Sequence, residues 1–151
     1  MNISSSWLKS LVALVPTVLL GACKVEPEPE GRFVIVNQSG YDVVLMVFNT
    51  KDRQRAPLVV PILNGSSVER TAYGGAGGIS YPELFFQGDS VRFKFIDGKQ
   101  LLHYCPQTQQ PNQCSPAHNV LALNQYQIES LSNARDKFTF TLTSADYTTA
   151  R

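Results

Sequence analysis

Hydrophobic and polar residues alternate with a period of two through the body of the chain, which is the pattern of half-buried β-strands. In segment 90–96, Val91, Phe93 and Phe95 share one face, and the two residues between them are basic. Segment 137–143 alternates in the same way between large apolar residues and threonines. The pattern predicts strands at 33–37, 41–49, 58–63, 66–73, 90–96, 99–105, 126–131 and 137–143.

Turn-forming residues indicate how some of these strands are joined. Asn64-Gly65 predicts that segment 66–73 returns beside the strand before it. Asp97-Gly98 predicts a two-residue hairpin turn. Segment 126–131 is the expected hairpin partner of 137–143.

Three further features refine this picture. Segment 41–49 is apolar on both faces, as in a central strand that is covered on both sides. Pro61 indicates an edge strand or a bulge, because proline cannot donate to the hydrogen-bond ladder. Segment 144–150 is expected to close one helical turn with Ser144 as its N-cap.

Six to eight short strands without a long amphipathic helix predict an all-β fold. We expect an immunoglobulin-like or related antiparallel β-sandwich, with a small β-barrel as the alternative. One such domain accounts for residues 32–151, which is an ordinary domain size.

The N-terminal segment is interpreted as a targeting signal. An apolar stretch at 11–20 is too short to span a bilayer and has the length of a signal-peptide core. Leu20-Gly21-Ala22-Cys23, which follows, resembles the lipobox of bacterial lipoproteins. The resemblance implies that a signal peptide at 1–22 is removed and that Cys23 carries the lipid that holds the protein on a membrane. The alternative is an ordinary cleaved signal in which Cys23 is incidental.

Residues 23–31 are expected to form the lipidated cysteine and an extended tether. Glutamate and proline alternate between Lys24 and Glu30, so charge repulsion and fixed φ angles favour an extended chain. Lysine followed by acidic residues after the cysteine resembles the surface-export signal of Bacteroidota-type lipoproteins. A plain spacer is the alternative. The resemblance implies an outer-membrane protein that faces the cell surface more readily than the periplasm.

The layout of the body also resembles small lipoproteins of Bacteroidota-type bacteria. The resemblance depends on Phe33-Val-Ile-Val-Asn37, on segment 89–95 and on segment 138–147. It implies an all-β fold and brings no activity with it.

Composition excludes several classes of protein. With 43% hydrophobic and 17% charged residues, the chain has the composition of a folded protein. The formal net charge of +1, with no basic cluster, predicts no nucleic-acid partner.

Cys105 and Cys114 enclose a polar loop, and in an exported protein this spacing predicts a disulfide. The alternative is zinc, because His103 and His118 would complete a Cys2His2 ligand set. The spacing of His103 and Cys105 is unusual for such a site, so we expect neither a metal nor another cofactor.

Ser115 and His118 are a candidate nucleophile and base. No acid near them in sequence would orient the imidazole, and no Gly-x-Ser-x-Gly elbow is present. We therefore assign no catalytic residues.

The glycine-rich segment after residue 73 is a candidate binding loop. It lacks the Gly-Lys-Ser/Thr of a phosphate-binding loop, so a flexible connection is the simpler interpretation. Movement of this loop could admit a ligand. The candidate residues are Gly74, Gly75, Gly77, Gly78 and Tyr81.

These observations predict a non-enzymatic, lipid-anchored protein of the cell envelope. It would bind or scaffold through the loops of a β-sandwich, with an unknown protein or glycan as its ligand. One alternative is a metal-binding or hydrolytic envelope protein that uses His103 and His118. Another is an accessory subunit of an envelope assembly.

Overall fold

The computed structural model describes residues 29–49, 52, 56–74, 88–105, 114–132 and 134–151. The predicted signal peptide at 1–22 and most of the tether at 23–31 lie outside these residues. Eight strands are described: β1 (Glu30–Gln38), β2 (Val43–Phe48), β3 (Leu58–Ile62), β4 (Ser67–Tyr73), β5 (Ser90–Phe95), β6 (Gln100–Tyr104), β7 (Gln127–Ser132) and β8 (Arg135–Thr143). A short 3-10 helix at Leu123–Gln125 precedes β7, and helix α1 (Ser144–Thr149) follows β8.

The strands form two sheets of four, which confirms the predicted β-sandwich. The first sheet has the order β4-β1-β8-β7, and the second has the order β3-β2-β5-β6. The sheets do not close into a barrel, so the alternative fold is wrong. Strands β1 and β8 are parallel, and the other paired strands are antiparallel.

The core lies between the sheets and contains the inward strand residues that alternation predicted, together with Val120, Leu121 and Ala122 of the segment between β6 and β7, which it did not predict. Val91, Phe93 and Phe95 of β5 are buried. They face the buried residues of the first sheet, among them Phe33 and Phe140. Phe33 also stacks on Phe138, with 4.7 Å between ring centroids.

The predicted hairpin between β3 and β4 is wrong. Strand β3 pairs with β2, whereas β4 crosses to the other sheet and pairs with β1. Gly65 adopts a φ of +77° as a turn residue should, but its N–H donates to Asn37 O at 2.7 Å. Turn chemistry specifies this local reversal, and it does not specify which strand the chain then pairs with.

The turn between β5 and β6 is longer than predicted. The Phe95 N–H donates to Lys99 O at 2.9 Å, so the loop comprises Ile96, Asp97 and Gly98. Gly98 has a φ of +94°, as the left-handed position of a three-residue hairpin loop requires. Strand β7 pairs with β8 in the predicted antiparallel hairpin.

Two other local predictions need correction. The N-cap of α1 is Thr143, because its side chain and that of Asp146 form a capping box; Ser144 is the first helical residue. Strand β2 is central in its sheet as predicted, but Val44 and Met46 on its outer face are half-exposed among the described residues. Pro61 does lie on an edge strand.

The sandwich has two different ends. We call the end at which Pro29 leads into β1 the entry end. The opposite end, which we call the turn end, carries the connections 39–42, 63–66 and 96–99 together with α1. Gly74 lies at the entry end, because its N–H donates to Pro29 O at 2.9 Å.

Candidate functional site

A disulfide joins Cys105 to Cys114, as predicted from the sequence. Tyr104 and Ser115 beside it exchange two backbone hydrogen bonds of 2.9 Å, so the loop is closed by both covalent and hydrogen bonds. The disulfide consumes the two thiols that a Cys2His2 zinc site would need. Across the described residues, no group of three or more histidine, cysteine, aspartate or glutamate side chains is arranged to hold a metal ion.

His103 lies inside the core, on the inner face of β6. Its Nδ1 accepts the Val120 N–H at 3.0 Å, which places the proton of the neutral ring on Nε2. That Nε2 is buried and has no hydrogen-bond partner among the described residues. Burial among Phe93 and Phe140 lowers the pKa of His103 to about 4, and the nearby Asp146 carboxylate offsets part of this effect.

His118 has the acidic partner that was not evident in the sequence. Its Nδ1 donates to Asp146 Oδ1 at 2.7 Å across a separation of 28 residues. The other oxygen, Asp146 Oδ2, accepts the Thr143 N–H at 2.7 Å and the Thr143 hydroxyl at 2.8 Å. Asp146 is buried, and three donors therefore hold its carboxylate in place.

This pair has the geometry in which a carboxylate orients a histidine for acid–base chemistry. A catalytic triad would also need a nucleophile at Nε2, and no described residue, Ser115 included, is hydrogen-bonded to that atom of His118. The His118 ring instead stacks on Phe140, with 4.4 Å between centroids. The arrangement fastens α1 to the segment that crosses between β6 and β7.

A second cluster lies on the surface of the turn end. Tyr41 stacks on Tyr147 with 3.9 Å between ring centroids, and Lys99 Nζ lies 4.2 Å from the centroid of Tyr147. The Tyr147 hydroxyl donates to Asp97 Oδ2 at 2.7 Å, and Phe95 meets the Tyr147 ring edge-on. We call these residues the tyrosine cluster. The cluster joins the connection between β1 and β2, the β5–β6 loop and α1.

The electrostatics of the cluster follow from its hydrogen bonds. Hydrogen bonding with Tyr41 and with the Asp97 carboxylate raises the pKa of Tyr147. The hydrogen bond from Tyr147 lowers the pKa of Asp97, and the Lys99 N–H and ammonium act in the same direction. The cluster therefore presents a fixed carboxylate, an ammonium group and two aromatic rings. Tyr41 keeps 38% of its surface exposed.

The turns beneath the cluster are held by buried polar groups. Asn37 is fully buried and donates through Nδ2 to Tyr41 O at 2.8 Å and Ile62 O at 3.0 Å. Its Oδ1 accepts the N–H and the hydroxyl of Ser39. Asn64 bridges the two neighbouring turns, because its Oδ1 accepts the Gly40 N–H at 3.0 Å. The position of Tyr41 is thus set by hydrogen bonds of the backbone that carries it.

The predicted binding loop is only partly described. Gly74 lies at the entry end, while Gly75, Gly77, Gly78 and Tyr81 fall outside the described residues. Cys23, the predicted lipidation site, also falls outside them. The disulfide loop leaves from the entry end as well, since Cys105 directly follows β6.

Sequence reasoning missed the tyrosine cluster. Asp97 and Tyr147 are 50 residues apart. Asp97 lies in the β5–β6 loop of the second sheet and Tyr147 follows β8 of the first sheet, so the packing of one sheet on the other brings them together. A weak signal was present in the sequence, because Tyr41 directly follows the turn residues Ser39-Gly40 and connections between strands run over the surface.

No protein-family model, curated protein or solved structure matches this chain significantly. Among the described residues, no helix has the length and apolar character that crossing a membrane requires. The sequence and the geometry of the chain itself therefore carry the proposal for its function.

Proposed function

We propose that this chain is a non-enzymatic, lipid-anchored protein of the cell envelope that binds a protein or glycan ligand through the turn end of its β-sandwich. Cys23 is the lipidated residue, and the outer membrane, facing the cell surface, is its location. The lipobox-like Leu20-Gly21-Ala22-Cys23 and the polar tether that follows support this proposal.

The observation that carries the proposal is the direction in which the chain enters the fold. Pro29 leads into β1 at the entry end, and Gly74 is hydrogen-bonded to it there. Because six residues at most span about 20 Å, a lipid on Cys23 stays near this end. The turn end is then the part of the domain farthest along β1 from the anchor.

The tyrosine cluster is the surface at the turn end that has suitable chemistry for recognition. Tyrosine rings offer an apolar face and a polar hydroxyl at low conformational cost, and tyrosine is enriched in binding surfaces for that reason. Lys99 and Asp97 add a cation and an anion next to the exposed Tyr41. Such a surface suits a ligand that has polar groups as well as some apolar area, and glycans and peptides both have these.

Anchoring and location are tested in cells. Metabolic labelling with a clickable fatty acid should tag the wild-type chain and leave a Cys23→Ser variant unlabelled. Protease added to intact cells should digest the wild-type domain and spare a periplasmic control protein. Equal labelling of both chains would contradict the anchor, and full protection from protease would contradict surface display.

Recognition is tested on a glycan array and by cross-linking on intact cells. Tyr41→Ala is the informative variant, and Tyr73→Ala is its matched control, because Tyr73 is an exposed tyrosine (66%) at the entry end. We expect Tyr41→Ala to weaken binding at least about tenfold, as loss of a central aromatic contact does. Equal effects of the two substitutions would contradict the assignment of the turn end.

A further inference from the structure

The second sheet turns a largely apolar face away from the core. The register places Val44, Met46 and Phe48 of β2 on this face, in cross-strand rows with outward residues of β3, β5 and β6. Val59 and Leu102 on the two edge strands are each 51% exposed. We call the outward residues of these four strands the outer apolar face.

The charged residues on this face are both cations. Arg92 and Lys94 point outward from β5, and no outward residue of the four described strands is acidic. The Arg92 guanidinium carbon lies 5.1 Å from the centroid of the Phe48 ring. Neither cation forms an ion pair within the described part of the chain.

The outer face of the first sheet is different. It carries three ion pairs between neighbouring strands, so its cations are compensated by acids, and threonines of β4 and β8 lie between them. One broad face of the sandwich is thus polar and balanced, while the other is apolar and positive. The ion pairs are Arg32–Glu69 at 2.7 Å, Arg135–Glu30 at 3.2 Å and Lys137–Glu129 at 3.4 Å.

We infer that the outer apolar face lies on an anionic lipid surface of the same membrane that holds the anchor. The inference rests on the proposed lipid anchor, because a tethered domain meets that surface at a high effective concentration. The length of the tether allows this contact. Cys23 precedes Pro29 by six residues, a reach of about 20 Å, whereas packed sheets are about 10 Å apart.

The chemistry of the face fits a membrane surface. Apolar side chains settle at the boundary between head groups and acyl chains, while arginine and lysine extend their charged ends to lipid phosphates. Tyr104, which is 44% exposed on β6, has the amphipathic ring that favours this boundary. In this orientation the turn end lies to the side of the contact, so the tyrosine cluster stays accessible.

The test uses the lipidated protein in vesicles. Because the other cysteines are occupied by lipid and disulfide, a single new cysteine can be labelled with the fluorophore NBD. Val59→Cys reports on the outer apolar face, and Thr71→Cys is its matched control on an exposed edge strand of the first sheet. Vesicles consist of phosphatidylcholine, with or without phosphatidylglycerol.

We expect phosphatidylglycerol to slow the reaction of NBD with external dithionite at Val59→Cys and to leave Thr71→Cys unchanged. In the double variant with Arg92→Gln and Lys94→Gln, binding of the face to the anionic surface should weaken by about fivefold for each cation removed, so the dithionite reaction at Val59→Cys should become faster again. Equal rates at Val59→Cys in the two lipid mixtures would overturn the inference. Full protection of NBD at Val59→Cys from dithionite in detergent solution, where no lipid is present, would also overturn it.

Failure of the anchor would be recognised separately. In a flotation experiment, a chain without a lipid would not rise with vesicles of phosphatidylcholine alone. That result would contradict the proposed lipid anchor. In that case Val59→Cys is combined with Cys23→Ser so that the label is again at a single site, and this chain added to vesicles with phosphatidylglycerol would still report on the outer apolar face. Protection of Val59→Cys there would support the lipid contact, and its absence would overturn it.

Discussion

The imidazole of His118 donates to the buried carboxylate of Asp146 at 2.7 Å, and this contact joins α1 to the segment that crosses from β6 to β7. The same carboxylate accepts two hydrogen bonds from Thr143, the N-cap of the helix. One side chain therefore serves a helix cap and a long-range contact together. Removal of the Asp146 carboxylate should therefore destabilise both α1 and its contact with the segment between β6 and β7.

Asp146→Asn should lower the free energy of unfolding by about 2–4 kcal/mol, because an amide cannot accept from all three donors and loses the charge that strengthens those bonds. Urea denaturation measures the change. Asp52→Asn is the control, since Asp52 is exposed, and it should stay within about 0.5 kcal/mol of wild type. Equal effects of the two substitutions would show that the buried contacts contribute little.

His103 makes the stability of the domain depend on pH. Burial lowers its pKa from 6.5 to about 4, so between these values the unfolded chain binds a proton that the folded chain does not. Stability should therefore fall as the pH decreases from about 6.5 to 4, by about 3 kcal/mol in all. Urea denaturation at a series of pH values measures this slope.

His103→Asn is the matching variant, because its amide oxygen can still accept the Val120 N–H while the side chain does not titrate. Loss of the ring lowers stability at every pH through packing. The informative quantity is the slope, which should be shallower in the variant. An unchanged slope would assign the pH dependence to other groups.

Asn37 should be among the most sensitive polar residues of the fold. Its side chain makes four hydrogen bonds in a fully buried site, which is the maximum for an amide with two donors and two acceptor sites. Asn37→Ala leaves buried groups unpaired and should cost about 2–4 kcal/mol of unfolding free energy. Asn124→Ala, at an exposed site, is the control and should be near neutral.

Alternation along the sequence predicted the strands and the faces they bury. In β5 and β8 every second residue is large and apolar, and those residues are the ones that fill the core. The partner of β4 was not predictable in this way. Asn64-Gly65 specifies a reversal over a few residues, whereas pairing with β1 depends on how both sheets assemble.

The candidate site was less predictable than the fold. Cys105 and Cys114 could be paired from sequence because they are close together and Cys23 is the one other cysteine of the sequence. The partners of His118 and Tyr147 lie 28 and 50 residues away, and sequence spacing holds no information on such contacts. Only the parallel pairing of β8 with β1 brings α1 to the turn end.

The disulfide should stabilise the fold by restricting the unfolded chain. For a sequence separation of 9 residues, loop entropy gives about 2.5–3 kcal/mol. A variant with both Cys105→Ser and Cys114→Ser should lose about this amount in urea denaturation, and reduced wild type should match it. Thiol titration of the unfolded, non-reduced protein provides the control: two reactive thiols from these positions would contradict the disulfide.

The tyrosine cluster is expected to couple two ionisations. Hydrogen bonding with Tyr41 and with the Asp97 carboxylate raises the pKa of Tyr147, and the hydrogen bond that the Tyr147 hydroxyl donates lowers the pKa of Asp97. Tyr147→Phe removes the donor. The pKa of Asp97 should then rise towards its ordinary value of 3.8, which NMR of the side-chain carboxyl carbon measures.

The converse substitution, Asp97→Asn, should lower the pKa of Tyr147, as read from absorbance at alkaline pH. Tyr126 provides the internal control, because burial alone raises its pKa and Asp97 does not contribute to that shift. In Asp97→Asn the ionisation of Tyr147 should therefore move to lower pH while that of Tyr126 stays. An Asp97 pKa that Tyr147→Phe leaves unchanged would show that the hydroxyl does not hold the carboxylate, and the charge presented beside Tyr41 would then owe its position to Lys99.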